Sequence, residues 1–306
     1  PDGGNGMSTI MYLVGGRFKS AEEARRRENI ANSFLANSQS NRVIMEEVGY
    51  GPCAIESCAE GEISIAGTLK KALQDSDGGR MDAIVVGCGD DPGLYSLRQL
   101  MDMPVVGLTE TSCAFASILG EKFSMITTSE ESVPETRVLF RKYGVLDKCA
   151  SIRYLNFSVL DMQRGVISRQ DVVKRFIEQV ELARQDGAAS VIMGCGTMAF
   201  LLLDEAANEV ASIPVINPAK VAIRAAEALL SMGLRHSDKA YPKPSDMRRI
   251  RVEHGSGAAG EDDAHRLLFK DFGKRRQVGN NLAENLGFTH AACNQLGILR
   301  AEVHQN

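Results

Sequence analysis

Short apolar runs recur along the chain, separated by stretches with helical periodicity. The strand candidates fall at 9–14, 43–48, 83–87 and 104–108, and again at 123–127, 151–155, 190–194 and 213–216. Several are continuous β-branched or aliphatic runs rather than alternating ones. That pattern belongs to parallel strands covered on both faces. Helices fit between them. Ser20 with Glu23 forms a capping-box pattern that opens a helix through about residue 38. Ser168 with Asp171 opens another, whose Val172, Val173, Phe176, Ile177 and Val180 make one stripe and which Gly187 ends. Further helix starts are expected near Pro92, Ser112, Glu131, Thr197 and Ala219. The alternation predicts an α/β protein with parallel sheets and right-handed crossovers.

The two sets of strands repeat in order. Equivalent strands begin 114, 108, 107 and 109 residues apart. "DAIVVGCGDDPGL" parallels "ASVIMGCGTMAFL", and "DMPVVGLTETSCAFASILG" parallels "SIPVINPAKVAIRAAEALLSMG". Four strands matching in order and register predict two pseudo-symmetric, doubly wound α/β lobes with four-stranded parallel sheets and a cleft between them. The expected boundaries are 7–120 for the first lobe, completed by a helix over 219–235, and 121–218 for the second. Residues 241–306 fit neither pattern. They carry ten Lys/Arg and eight Asp/Glu and include the flexible-looking "HGSGAAGEDD". A solvated extension or an oligomer contact is expected there, with short helices at 264–270 and 281–286.

Composition narrows the function classes. A chain of 306 residues can bury a substantial core. Its net charge of −4 gives no reason to expect nucleic acid as a partner. No apolar run approaches the roughly 20 residues that span a bilayer. No charged segment followed by an apolar core marks a secretory signal. Seven cysteines without a Cys-x-x-Cys pair argue against a disulfide scaffold and for a reducing, cytoplasmic setting. All five histidines lie after residue 235. A Cys-His or Ser-His hydrolase site in the body therefore requires the tail to fold back. No metal-ligand cluster, phosphate-binding loop or dinucleotide fingerprint is present, so no metal or cofactor is expected.

Chemistry concentrates at two equivalent points. Cys88 and Cys195 each sit between glycines at the end of the third strand of a lobe. Ligands of open parallel sheets bind beyond the C-terminal strand ends. Glycines allow close approach of the backbone, and the helix start that follows offers free N–H groups and a positive dipole end. These features favour a thiolate or a bound oxyanion. Two such cysteines facing each other across a cleft suit inversion of a C–H stereocentre, in which one thiolate removes a proton from one face and one thiol supplies it to the other. Cys53, Cys58, Cys113, Cys149 and Cys293 read as packing residues. Asp90 and Asp91 read as helix caps.

These motifs resemble the aspartate/glutamate racemase superfamily. "CGDDPGL" (88–94) and "GPCAIES" (51–57) are similar to the hydantoin/allantoin racemase branch, with "PVVGLTETS" and "GCGTMA" in agreement. Amino-acid racemases of the superfamily instead usually carry Cys-Asn-Thr and Gly-Cys-Thr. The resemblance covers about residues 9–235. It implies a cofactor-independent racemase or epimerase acting on a hydantoin-like cyclic ureide, with Cys88 and Cys195 as the acid/base pair. It further implies that the backbone at Gly89, Asp90, Gly196 and Thr197, with Thr127 and Thr128, holds the substrate. Glu56 is expected to orient the first-lobe rim. Where the branch places Asn-Pro-Asn after its first strand, this chain has Gly15, Gly16 and Arg17, so Arg17 is a candidate contact to a substrate carbonyl or carboxylate. A small-molecule substrate and a homo-oligomeric assembly are the expected partners. The alternatives are an amino-acid racemase, a maleate isomerase-like enzyme and a non-catalytic two-lobe binding protein.

Overall fold

The computed structural model describes residues 7–77, 79, 81–202 and 211–245. The expected helices at 264–270 and 281–286 lie outside them. The described chain runs β1 (Ser8–Val14), α1 (Ala21–Ser33), β2 (Asn41–Glu47), α2 (Cys58–Asp77), β3 (Ala83–Val86), α3 (Leu94–Leu100), β4 (Val105–Gly107) and α4 (Leu108–Leu119). It continues through β5 (Phe123–Thr127), α5 (Ser132–Lys142), β6 (Cys149–Tyr154), α6 (Val159–Arg164), α7 (Arg169–Gln185), β7 (Ser190–Met193), α8 (Gly196–Leu202), β8 (Val215–Ile216) and α9 (Pro218–Ser231).

The strands form two four-stranded sheets, ordered β2-β1-β3-β4 and β6-β5-β7-β8. Every pairing is parallel. The inner strands β3, β5 and β7 are buried at every position, as their continuous apolar sequences require. The outer strands β2 and β6 keep partial exposure.

Strand periodicity sorts each sheet's side chains into two cores. In β1, Ile10, Tyr12 and Val14 pack with α1, α8 and α9, whereas Met11 and Leu13 pack with Ala72 of α2 and Leu94 and Leu97 of α3. In the second sheet Ile126, Val191 and Met193 meet Val172, Phe176 and Val180 of α7. Its opposite face, with Phe123, Met125 and Ile192, meets Phe140 of α5 and Cys113 and Ala116 of α4. The helix after each fourth strand thus crosses to the other sheet. α4 covers the second one, and Ala219, Ala222, Ile223 and Ala226 of α9 cover the first.

Caps mark the helix ends. Ser20 accepts from the Glu23 N–H at 3.2 Å, and Ser168 accepts from the Asp171 N–H at 3.1 Å. α1 ends at Ser33, earlier than expected, and near its end the Asn32 side chain ties it to β2 by pairing with both backbone groups of Val43.

Candidate active site

The two Gly-Cys-Gly turns meet at one cavity. It is lined by Cys88 and Cys195, with Gly89, Asp90, Thr127, Thr128, Gly196 and Thr197 around them. The turns are built in the same way. The Gly87 N–H donates to the Leu13 carbonyl at 2.7 Å, and the Gly194 N–H donates to the Ile126 carbonyl at 2.8 Å. Each turn leaves its sheet as the third strand ends, so each cysteine stands at a C-terminal strand edge. The glycines let the turns pack backbone to backbone. A Cβ on Gly196 would lie 2.8 Å from the Gly87 oxygen, and a Cβ on Gly89 would collide with the Gly194 oxygen. The contact is reciprocal: the glycine after one cysteine meets the glycine before the other.

Electrostatics separate the two thiols. Burial pushes the Cys88 thiol well above its ordinary value, and the Asp90 charge adds to it, while the Asp90 N–H works against it. Burial also raises Cys195, but the N–H groups of Met198 and Thr197 and the Arg27 guanidinium oppose the rise. Cys195 is therefore the better placed of the two to carry a thiolate, and Cys88 the better placed to hold a proton. The N–H groups at Thr197 and Met198 belong to the start of α8, the expected N-terminal anion position.

The two acids that follow Cys88 have different surroundings. Asp91 adopts φ 47° and its carboxylate accepts from the N–H groups of Thr109 and Glu110 at 3.1 and 2.8 Å, and from the Tyr143 hydroxyl at 2.8 Å. It caps α4 rather than the helix that follows it in sequence. Asp90 lines the cavity, and burial raises its pKa to about 7, with Glu135 and Asp91 contributing.

Thr127 and Thr128 are buried at the end of β5 and line the cavity. The Thr127 hydroxyl donates to the Ser129 carbonyl at 3.0 Å. Glu56 also lines it, but one carboxylate oxygen is engaged in capping α6, accepting from the Ser158 hydroxyl at 2.9 Å and the Leu160 N–H at 3.1 Å. Glu56 thereby ties the first-lobe loop to a second-lobe helix.

Arg17 lies elsewhere. Its guanidinium donates to the Gly49 carbonyl at 2.5 Å and pairs with Glu47 at 3.6 Å, which staples the loop after β1 to the end of β2. The Gly16 backbone explains this path: a Cβ there would lie 2.6 Å from the Cys53 oxygen, and the Arg17 N–H donates to that same oxygen at 2.9 Å. Gly15 and Gly16 line the cavity in its place.

Two lining residues carry no local sequence motif, Tyr12 in the middle of β1 and Arg27 in the middle of α1. Arg27 is buried, held by Glu23 through Nε at 2.9 Å and Nη2 at 2.6 Å. Its signal was a cation four residues before Ala31, on the helix stripe that faces the core. Outside the cavity, Cys58, Cys113 and Cys149 are free thiols. His236 serves the fold, its Nε2 accepting from the Val105 N–H at 2.8 Å. Among the described residues no cluster of three His, Cys, Asp or Glu side chains could hold a metal ion, and no helix is long and apolar enough to cross a membrane.

Two parallel-sheet lobes thus bring paired cysteine turns to one shared cavity. The family model for Asp/Glu/hydantoin racemases matches residues 20–226. The chain belongs to this family, and it is a racemase. A hydantoin racemase of Rhizobium meliloti is 32% identical over 196 residues, 63% of this chain and 79% of that protein. A hydantoin racemase of Pseudomonas sp. (strain NS671) is 29% identical over 210 residues, 68% of this chain and 82% of that protein. Among solved structures, the allantoin racemase from Klebsiella pneumoniae has the same fold, with a TM-score of 0.69 at 23% identity over 84% of this chain and 98% of that one.

Proposed function

We propose that this racemase inverts the stereocentre of a hydantoin-like cyclic ureide by proton transfer between Cys195 and Cys88. The observation that carries the reading is the pair of free thiols at equivalent strand ends lining one cavity. Among the described lining residues there is no histidine or lysine, which leaves as proton carriers the thiols, the Asp90 and Glu56 carboxyls and the Tyr12 phenol, whose proton is held in place by burial. The Glu56 carboxylate is engaged by α6, and the Asp90 charge adds to the burial that raises Cys88.

In one direction, the Cys195 thiolate takes the proton from the ring carbon between the amide nitrogen and the carbonyl. The C–H bond breaks, an S–H bond forms, and the electron pair enters the adjacent carbonyl as an enolate. The Cys88 thiol then gives its proton to the opposite face of that carbon and becomes the thiolate. The product is the mirror image, and the cysteines have exchanged protonation states. The reverse reaction starts from that second state. Backbone N–H groups of the two turns and the Thr127–Thr128 rim supply donors for the ring's polar atoms. A hydantoin carbon is acidic enough for thiol chemistry because its carbanion is shared with a carbonyl. The sequence relatives support the ring class, since those at 32% and 29% identity are hydantoin racemases.

The reading is tested with single enantiomers of 5-benzylhydantoin and of allantoin, followed by polarimetry. Wild-type protein should bring one or both to zero rotation, and Cys88→Ser and Cys195→Ser should each lose roughly 10²–10⁴-fold in rate. Full activity in either variant would contradict the two-thiol mechanism. Turnover only of free aspartate, glutamate or maleate would move the substrate to the amino-acid or dicarboxylate branch. A homo-oligomeric assembly and a cytoplasmic setting go with this proposal, and size-exclusion chromatography with light scattering tests the former.

A further inference from the structure

Tyr12 stands between the two cysteine turns. Its ring lies against Gly87, where any Cβ would collide with it, and a Cβ on Gly196 would come within 3.5 Å of its hydroxyl. Gly87 precedes Cys88 and Gly196 follows Cys195, so one phenol touches both halves of the paired turns. The side chain is 1% exposed and lines the cavity, yet its hydroxyl has no hydrogen-bond partner among the described residues. Leaving a buried hydroxyl unpaired costs free energy.

The pseudo-symmetry sharpens the point. Tyr12 pairs in register with Val85 across β1 and β3, and Met125 pairs with Ile192 across β5 and β7. Val85 and Ile192 each lie three residues before a cysteine of the pair, so Met125 is the counterpart of Tyr12. Met125 packs beside Gly194 as Tyr12 packs beside Gly87. The first lobe therefore carries a hydroxyl where the second carries a thioether. The ring itself is packed edge-on to Phe200, with centroids 5.5 Å apart. The Arg27 guanidinium stands over the same Phe200 ring, 5.8 Å from its centroid. Packing thus accounts for the ring and leaves the hydroxyl without a structural task.

We propose that Tyr12 is a third catalytic residue, whose phenolic O–H donates a hydrogen bond to the substrate carbonyl oxygen that takes up charge as the carbon loses its proton. This rests on the proton-transfer reading above. The phenol keeps its proton throughout: burial raises its pKa far above neutral, and the Arg27 charge only partly offsets that. Nothing is consumed in the step, since the O–H bond persists and the hydrogen bond strengthens as the enolate forms. A donor fixed in place before the reaction, in a site shielded from water, is the arrangement that stabilises such charge most.

The test compares Tyr12→Phe with wild type, Cys88→Ser and Cys195→Ser on one enantiomer of 5-benzylhydantoin. The phenyl ring keeps its packing on Phe200 and only the hydroxyl is lost. We expect kcat to fall by roughly 10²-fold with KM little changed, because the bond matters chiefly in the transition state. Thermal unfolding should give a Tm equal to or above wild type, because the variant removes an unpaired buried hydroxyl. A hydroxyl that merely serves the fold would give a lower Tm instead. Tyr12→Phe with kcat within about threefold of wild type, or with a depressed Tm, overturns the proposal while Cys88→Ser and Cys195→Ser stay inactive. Absence of turnover in wild type overturns the hydantoin reading, and this inference with it.

Discussion

Gly89 and Gly194 meet backbone to backbone, so closely that a methyl group on Gly89 would run into the Gly194 carbonyl oxygen. The mirror contact joins Gly196 to Gly87. These contacts explain why the chain builds the same cysteine-bearing turn twice. The glycine after each cysteine admits the other turn, the glycine before it admits the neighbouring strand of its own sheet, and the cysteines between them are held at one cavity.

Gly89→Ala should accordingly separate the turns. The nearest obstacle is a backbone oxygen, which cannot swing aside as a side chain can. A loss of about 1–3 kcal/mol in stability is expected, with racemisation reduced as the thiols move apart. Gly61→Ala in α2 is the control. There a Cβ meets Ile55 and Glu135 at 3.9 and 4.0 Å, an ordinary contact, and alanine suits a helix better by up to about 1 kcal/mol. Urea denaturation of both variants checks the contrast. Equal stability of the two would remove the packing account of Gly89.

Asp90 and Arg27 should shift the pH–rate profile in opposite directions. The thiol pair titrates together, and activity needs one thiolate and one thiol. Asp90→Asn removes a charge that raises Cys88, so the alkaline limb, where the second thiol is lost, should move to lower pH. Arg27→Met removes a charge that favours the Cys195 thiolate, so the acid limb should move to higher pH. The kcat/KM profile from pH 5 to 11 reads both. An inactive Asp90→Asn would instead make Asp90 a proton carrier and displace Cys88 from that role.

Stability should depend on pH in a direction opposite to the usual carboxylate. Burial raises Asp90 to about 7 and Asp91 to about 6. Each therefore holds its proton more tightly folded than unfolded. Their contribution is fully present below pH of about 4, the ordinary aspartate value, and is lost as pH rises through about 6 and 7. Thermal melts between pH 4 and 8 should show this decline, and Asp90→Asn should flatten its upper part. A flat wild-type profile would contradict the burial of these carboxyls.

Arg17→Ala should leave kcat nearly unchanged, because Arg17 staples the loop after β1 to Gly49 and Glu47 and does not line the cavity. A modest loss of stability, about 1 kcal/mol, is expected from the lost hydrogen bond and ion pair. A large rise in KM would restore the substrate contact expected from the sequence.

Much of this was legible in the chain. The eight strands were readable because buried parallel strands demand unbroken apolar runs, and the capping residues Ser20 and Ser168 marked two helices by short-range chemistry alone. α2 escaped notice although Ser57 and Glu60 form its cap, with the Glu60 carboxylate accepting from the Glu56 N–H at 2.8 Å, because small residues blur its apolar stripe. Asp91 was readable as a cap but not as the cap of α4, eighteen residues away. Tyr12 and Arg27 left no motif. Each occupies the middle of an element, and long-range packing, on Phe200 from α8 for both, accompanies their place at the cavity. Arg17 misled because its position after β1 is right, while Gly16 turns the backbone toward Cys53 and the side chain follows it to β2.

The central claim is that two thiols act on opposite faces of one carbon. It is tested most directly by racemisation of a single 5-benzylhydantoin enantiomer in deuterium oxide, stopped at low conversion, with the two enantiomers separated and weighed by mass spectrometry. The account predicts deuterium in essentially all of the newly formed enantiomer and protium retained in the recovered starting one, because the proton is removed by one cysteine and the deuteron delivered by the other. Product that keeps its protium, or equal labelling of both enantiomers from the start, would mean a single base serving both faces and would contradict it.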